Sequence, residues 1–166
     1  MRPAETLMAI DRTELRRVMS HFATGVAVIT TRDVDGKPFG LTANALCSVS
    51  LDPPLLLVCV DKKAESHPAF ARSGLFAVNI LGHGHEDLSR RFAVSGGDKF
   101  VDVAHRAGTT GVPVLEGVLG AVECRVVAEH DAGDHTIYIG EVEQLVAFEG
   151  EPLLFFRGKY RRLNEA

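Results

Sequence analysis

A mainly β fold, with short helices packed outside a β-barrel, is what the sequence predicts for this 166-residue chain. Six or seven runs of β-type composition outnumber three short helical patterns, and several links between them are of hairpin length. Such links favour antiparallel pairing. The length suits one domain, which we expect to cover residues 1–166 with a core at about 12–163. Strand and helix patterns alternate over residues 55–93, so an α/β sheet is the competing prediction.

The chain opens with an amphipathic helix pattern over residues 11–22. Asp11 can cap the first turn, and Glu14 follows three residues later, as in a capping box. The apolar stripe of this helix consists of Leu15, Val18, Met19 and Phe22. Gly25 ends the pattern, which predicts a helix with one face against the rest of the protein.

Strand patterns follow. The β-branched run at 26–31 predicts a strand, and an Asp-Gly turn signal within 33–37 predicts that residues 39–50 return as its partner. An Asp-Pro-Pro sequence at 52–54 interrupts the ladder, because proline has no amide hydrogen to donate. The apolar run at 55–60 then predicts a strand buried on both faces.

Beyond residue 64 the patterns predict shorter elements. They are a helix at 65–74 with Ser66 as its cap, a strand at 75–81, a helix at 85–93, a loop at 94–100, irregular chain at 101–117, and strands at 119–130, 135–148 and 152–157. The links at 131–134 and 149–151 are short enough for hairpins.

Composition and charge exclude several classes of protein. The formal net charge of -4 gives no general electrostatic reason to expect nucleic acid. The longest apolar run, at 55–60, is too short to cross a bilayer, and the first residues contain no signal-peptide core. Three cysteines without metal-type spacing indicate a reducing compartment. We therefore expect a cytoplasmic protein that binds neither nucleic acid nor a membrane.

Common catalytic motifs do not occur. The sequence has no G-x-G-x-x-G, Walker A, G-x-S-x-G or H-E-x-x-H motif. The HGHED stretch at 83–87 holds potential metal ligands, but no second cluster accompanies it, so no metal site is predicted. His135 follows Asp134 at the mouth of a predicted hairpin, where a carboxylate can orient an imidazole. From the residues alone this histidine is either structural or functional.

The segment at 40–60 places small polar side chains in otherwise core-like sequence. Small side chains leave room beside the backbone for a flat polar ligand. Five stretches then carry a resemblance to a known family: GLTANALCSVSLDPPLLLVCV (40–60), FAVNIL (76–81), LSRRFA (88–93), GDKF (97–100) and GDH (133–135). In their order and spacing, over residues 22–163, the chain resembles the short-chain flavin reductase family, the reductase partners of two-component flavin-dependent monooxygenases.

That resemblance implies a split β-barrel of the FMN-binding, Greek-key type, which forms a homodimer and holds FMN or FAD in a groove near the interface. The residues that it assigns to the flavin are Thr42, Ala43, Asn44, Ala45, Ser48, Val49, Ser50, Cys59, Val60, Asp61, Ser66, Arg91, Phe92 and Lys99. His135 and Tyr160 are assigned to the nicotinamide nucleotide. No residue is assigned as an acid or base. Ala45 and Cys47 replace the serine and threonine that are frequent in such proteins, which leaves the preference between FMN and FAD open.

The implied activity is NAD(P)H:flavin oxidoreduction, in which hydride passes from NADH, or NADPH, to the flavin and reduced flavin goes to a partner monooxygenase. NADH is favoured because no basic pocket for a 2′-phosphate is evident. One alternative is a flavin-binding electron carrier reduced by a protein partner, which the intact GDH triplet at 133–135 disfavours. Another is a non-catalytic dimer that binds flavin or a tetrapyrrole.

Overall fold

The structure is a computed structural model and describes residues 10–163. The N-terminal stretch in which the sequence predicts no signal peptide lies almost wholly outside these residues. The helices are α1 (Arg12–Met19), α2 (His67–Ser73) and α3 (Glu86–Ala93). The strands are β1 (Thr24–Gly25), β2 (Ala27–Arg32), β3 (Pro38–Ala43), β4 (Leu46–Leu51), β5 (Pro54–Asp61), β6 (Leu75–Ile80), β7 (His105–Ala107), β8 (Pro113–Leu115), β9 (Gly120–Ala132), β10 (His135–Ala147), β11 (Leu154–Phe156) and β12 (Lys159–Arg161).

Seven strands form the main sheet, in the order β3-β2-β6-β9-β10-β5-β4, and every pairing in it is antiparallel. Two small sheets, β1-β11-β12 and β7-β8, lie beside it. The prediction of a mainly β protein is confirmed, and the competing α/β prediction is wrong. The helices between strands do not impose parallel pairing here, because α2 joins β5 to β6, which are not neighbours in the sheet, and α3 joins β6 to β7, which lies in another sheet.

The predicted strand at 39–50 is two strands. β3 pairs with β2, whereas β4 pairs with β5 at the opposite edge of the sheet. Only Asn44 and Ala45 separate them, and successive Cα atoms lie 3.8 Å apart, so the two edges approach within about 11 Å at this point. The Ala45 carbonyl accepts from the Cys59 amide at 2.9 Å. The sheet therefore curls into a barrel whose edges do not pair, which fits the predicted split-barrel type.

Both faces of the sheet are covered at β2. Ile29 packs in one cluster with Val60 and Phe76, whereas its neighbour Val28 packs in a second cluster with Phe92. Successive side chains of a strand point to opposite faces, so burial of both residues requires packing on each side. β2 is consequently buried from Ala27 to Thr31, and its polar residues need partners inside the protein.

Asn79 supplies such partners at the centre of the sheet. Its amide nitrogen donates to the Val28 carbonyl and to the Thr30 hydroxyl, each at 3.0 Å. Its side-chain oxygen accepts from the Leu115 amide at 2.8 Å. Asn79 is fully buried, and these bonds tie β2, β6 and β8 together.

A second buried polar group organises the segment that the sequence predicts to be irregular. The Glu123 carboxylate accepts from the amides of Thr109 and Thr110, at 3.1 and 2.8 Å. A Cβ on Gly108 would lie 2.5 Å from this carboxylate, so a larger residue there would displace the carboxylate from its present position. The loop joins β7 to β8, two three-residue strands that are too short to show a hydrophobic period.

Helix α1 is confirmed, but its apolar stripe is not covered. Asp11 accepts from the Thr13 amide at 2.9 Å, as a cap should, whereas Glu14 pairs with Arg17 instead of completing a capping box. The exposed stripe consists of Leu15 (54%), Val18 (53%), Met19 (56%) and Phe22 (71%). Across residues 10–163, none of the helices has the length and apolar character needed to cross a bilayer.

Candidate functional site

Three adjoining cavities form one groove beside β3, α2 and α3. The central cavity has a volume of about 250 Å³ and lies between β3, the end of β5 and the start of α2. The apolar cavity, about 160 Å³, shares Thr42 and Ala93 with it. The outer cavity, about 170 Å³, shares Glu65, Ser66 and Lys99 with it on the other side.

Residues that are distant in the sequence meet in the central cavity. Its lining includes Thr42 from β3, Asp61 from β5, Ser66 before α2, Phe92 from α3 and Lys99 from the following loop. All five belong to the set that the resemblance assigns to the flavin. Their convergence supports that assignment, which remains a prediction for each residue.

Ser66 has a buried hydroxyl that is not satisfied. The residue is 2% exposed, and its Oγ has no hydrogen-bond partner within residues 10–163. Ser66 occupies the predicted cap position of α2, yet it makes no capping bond. An unsatisfied buried hydroxyl costs about 1–3 kcal/mol, and such groups in folded proteins need a reason. Because Ser66 lines both the central and the outer cavity, a ligand oxygen in the groove would supply the missing partner.

Lys99 lines the same two cavities as Ser66. Its Nζ donates to the carbonyls of Gly40 and Phe92, at 3.2 and 3.4 Å, and no carboxylate in the described part of the chain pairs with it. Burial lowers the pKa of Lys99 below its ordinary value of 10.5, although Glu65 opposes the shift. A half-buried ammonium without an ion-pair partner, next to an orphaned hydroxyl, suits a phosphate group.

The apolar cavity is flanked by the end of β3 and by Asn44, which follows it. Thr42, Ala43, Asn44 and Tyr160 line it together with Val26 and Phe155. Asn44 donates to the Thr24 hydroxyl at 3.1 Å, which fixes its carboxamide. A cavity with apolar walls and small side chains along one edge can accept a flat ring.

Ser89 bonds to both Thr42 and Tyr160, which line the apolar cavity. It is absent from the site residues that the sequence analysis assigns. Its carbonyl accepts from the Thr42 hydroxyl at 2.6 Å, and its own hydroxyl bonds the Tyr160 hydroxyl at 2.8 Å. The sequence does contain a feature that could have identified Ser89. Ser89 and Phe92 are three residues apart and share the buried face of α3, so a serine on an apolar face indicated an internal partner.

Phe92 lies in the core. Its ring is 1% exposed and meets Phe100 edge-on with centroids 5.1 Å apart. A Cβ on Gly40 would lie 2.7 Å from this ring, so glycine allows β3 and α3 to approach closely. The ring has almost no free face, and Phe92 borders the groove as a packed residue.

The remaining predicted flavin residues do not line the three cavities in this chain. Arg91 is exposed and donates to the Val101 carbonyl at 2.6 Å. Ser48, Val49 and Ser50 lie on the edge strand β4, whereas Cys59 and Val60 lie on β5 and Ala45 lies in the link. Burial raises the pKa of the Cys59 thiol, which disfavours a reactive thiolate.

His135 stands close to the groove through strand pairing. It opens β10, where its Cα partner on β5 is Asp61, a lining residue of the central cavity. Its Nδ1 hydrogen-bonds the Asp134 carboxylate at 2.8 Å, and this bond lowers the pKa of Asp134. The imidazole is therefore oriented and remains partly exposed, whereas Tyr160 lies at the other end, in the apolar cavity.

The fold and the groove together define the class of protein to which this chain belongs. The protein is a split-barrel protein whose groove can hold a ligand that has a flat ring at one end and a phosphate toward the other. Thr42, Ala43 and Asn44 border the ring end, and Ser66 and Lys99 border the phosphate end.

Comparison with known proteins identifies the family. The flavin reductase like domain matches residues 19–164, and the chain belongs to this family. It is 42% identical over 149 residues to the FMN reductase (NADH) SmoA of Agrobacterium fabrum, covering 90% of this chain and 84% of the relative. It is 40% identical over 153 residues to HsaB of Rhodococcus jostii, the reductase subunit of a flavin-dependent monooxygenase, covering 92% and 78%.

A solved structure supports the same family assignment. The NADH:FAD oxidoreductase SgcE6 of Streptomyces globisporus, in complex with NAD and FAD fragments, superposes with a TM-score of 0.88 at 40% identity. The match covers 93% of both chains. The family prediction and the split-barrel prediction are thus confirmed.

Proposed function

We propose that this chain is an NADH:flavin oxidoreductase that supplies reduced flavin to a separate monooxygenase. The observation that carries the proposal is the convergence of Thr42, Asp61, Ser66 and Lys99 on one cavity, with His135 paired beside Asp61. The relatives described above support it, because their names include an FMN reductase that uses NADH and a monooxygenase reductase subunit.

The groove would hold the flavin. Thr42, Ala43 and Asn44, which line the apolar cavity, would border its ring. The Ser66 hydroxyl and the Lys99 ammonium, which line the central cavity, would bind its phosphate. The orphaned hydroxyl and the unpaired lysine are the observations of this structure that fit a phosphorylated ligand.

The chain contributes position and electrostatics. A bound flavin and a reduced nicotinamide would supply the redox chemistry, a hydride transfer to flavin N5, themselves. Thr42 is held by its bond to the Ser89 carbonyl, so the groove wall is fixed before ligands bind. His135, oriented by Asp134, contacts the nicotinamide nucleotide and holds it against the groove. Because hydride transfer demands close stacking, orientation by these residues matters more than an acid or base.

The proposal also includes the oligomeric state and the cellular location of the protein. The chain forms a homodimer, and the exposed apolar stripe of α1 supports a contact with a second copy. The cytoplasm, which supplies NADH, is the site of action, and the three unpaired cysteines are consistent with a reducing compartment.

Rapid anaerobic mixing of the purified protein with flavin and NADH tests the activity. The proposal predicts loss of flavin absorbance that depends on both protein and NADH, followed by its return when air is admitted. The same mixture with His135→Ala should require more NADH for the same rate. If flavin binds but NADH does not bleach it, the protein is a carrier or a binding protein instead.

A further inference from the structure

The outer cavity has no role in the function proposed above. Its lining includes Lys37, Phe39 and Asp98, and it joins the central cavity across Glu65, Ser66 and Lys99. A flavin mononucleotide would end at its phosphate, beside Ser66 and Lys99. A cavity of about 170 Å³ then continues the groove beyond that phosphate.

We propose that the outer cavity receives the adenosine half of FAD, so that this chain prefers FAD to FMN. The inference rests on the proposed function, because it extends the same groove. FAD carries an adenosine on a second phosphate, directly beyond the phosphate that FMN also has. Ser66 and Lys99 line both cavities, so they lie where the diphosphate passes from one to the other.

Phe39 gives the outer cavity an aromatic surface. The ring is only partly buried, and the Lys37 ammonium lies 5.3 Å from its centroid, over its face. Lys37 is exposed and flexible enough to move aside. An adenine can therefore stack on Phe39 while the Lys37 ammonium turns to the diphosphate, and aromatic stacking accepts any base without reading its edge.

Two carboxylates that line the outer cavity can accept hydrogen bonds from the ribose hydroxyls of FAD. Glu65 accepts from the Gly96 amide and Asp98 accepts from the Phe100 amide, each at 3.0 Å and each through one oxygen. The second oxygen of each carboxylate remains an acceptor. Ribose hydroxyls are donors, and acidic side chains bind them in other nucleotide sites. The outer cavity thus combines an aromatic face with acceptors, whereas the phosphate-binding groups lie at its border.

Titration with FMN and with FAD, in the absence of NADH, tests the inference. The wild-type protein should bind FAD at least about fivefold more tightly than FMN. Phe39→Ala should bring the two dissociation constants close together by weakening FAD alone. The matched control Phe148→Ala removes an exposed ring elsewhere on the surface, at 62% exposure, and should leave both constants unchanged.

Adenosine is the second probe and needs no variant. It should compete with FAD but not with FMN, because FMN leaves the outer cavity free. Phe39→Leu, which keeps an apolar side chain without an aromatic face, replaces Phe39→Ala if that variant does not fold.

Failure of the inference is distinguishable from failure of the proposed function. Equal or tighter binding of FMN by the wild-type protein overturns the inference alone, as does an equal loss of both flavins in Phe39→Ala, and the cavity is then a water-filled gap. If the wild-type protein binds neither flavin, both the inference and the proposed function fail.

Discussion

Two regions of this protein bury polar side chains, and they differ in how those groups are satisfied. Around Asn79, each side-chain donor and acceptor has a partner inside the sheet. In the groove, Ser66 has no partner among residues 10–163, and Lys99 has only two long bonds to carbonyls. Arg32 and Tyr138 also hold one unsatisfied atom each, but neither lines the groove. Satisfied buried groups stabilise the fold, whereas unsatisfied ones that line a cavity indicate a ligand.

The largest effect on stability is expected at Asn79, whose side-chain donor and acceptor groups have partners inside the protein. Asn79→Ala leaves the Leu115 amide and the Val28 carbonyl buried without their partner, and it opens a small void. We expect the free energy of unfolding to fall by about 3 kcal/mol, measured by urea denaturation. Gln144→Ala, at an exposed amide on β10, is the control and should change stability little. A loss in Asn79→Ala no larger than in the control would remove the distinction between the regions.

Ser66→Ala should affect flavin binding instead of stability, the opposite of what is expected for Asn79→Ala. Removal of an unsatisfied hydroxyl leaves the stability of the free protein unchanged or slightly raised. Flavin affinity should fall about tenfold to a hundredfold, the value of a hydrogen bond to a charged group. Ser20→Ala removes a hydroxyl that already donates to the Arg17 carbonyl and should leave flavin affinity unchanged. Destabilised Ser66→Ala protein with normal flavin affinity would make Ser66 structural.

The pKa of Lys99 gives a pH test. Since burial lowers this pKa below 10.5, Lys99 loses its proton at a lower pH than an exposed lysine. Flavin affinity should therefore decline as the pH rises toward 10.5, measured by titration at a series of pH values. In the free protein the unfolded chain keeps that proton longer, so stability rises with pH over the same range. Lys99→Arg serves as the control for ionisation of the flavin ring, and an identical decline in both proteins would exclude Lys99 as the cause.

A smaller effect is expected at the exposed end of the groove. His135→Ala should raise the KM for NADH about three- to tenfold, the loss of one hydrogen bond, while the dissociation constant for flavin stays constant. Asp134→Asn keeps the imidazole and removes only the carboxylate that orients it, so a change of about twofold is expected. A weaker flavin complex in either variant would place His135 at the flavin instead.

The sequence predicted the β9–β10 hairpin correctly, whereas the hairpin predicted across 149–151 is wrong, because β11 pairs with β1 and β12 instead of β10. β9 and β10, predicted at 119–130 and 135–148, have a clear β pattern and a turn in which Gly133 adopts a φ of 68°. The division of 39–50 was missed because the whole segment has β-type composition. The change of edge at Asn44 is decided by long-range pairing with β2 and β5.

The groove was harder to predict than the strands. Ser66 and Lys99 entered the candidate set through family resemblance, since nothing in their local sequence shows that α2 and the loop after α3 meet. The buried position of Phe92 depends on its close approach to Gly40 of β3, and the role of Ser89 depends on Thr42 and Tyr160. These contacts join segments that are far apart in the chain, and a local pattern carries no signal for them.

A crystal structure of the protein with FAD tests the central claim most directly. We expect a phosphate oxygen of the flavin within about 2.8 Å of the Ser66 hydroxyl, with the Lys99 ammonium on the same phosphate. A flavin bound elsewhere, with the Ser66 hydroxyl still unpaired and the groove filled by side chains, would contradict the account.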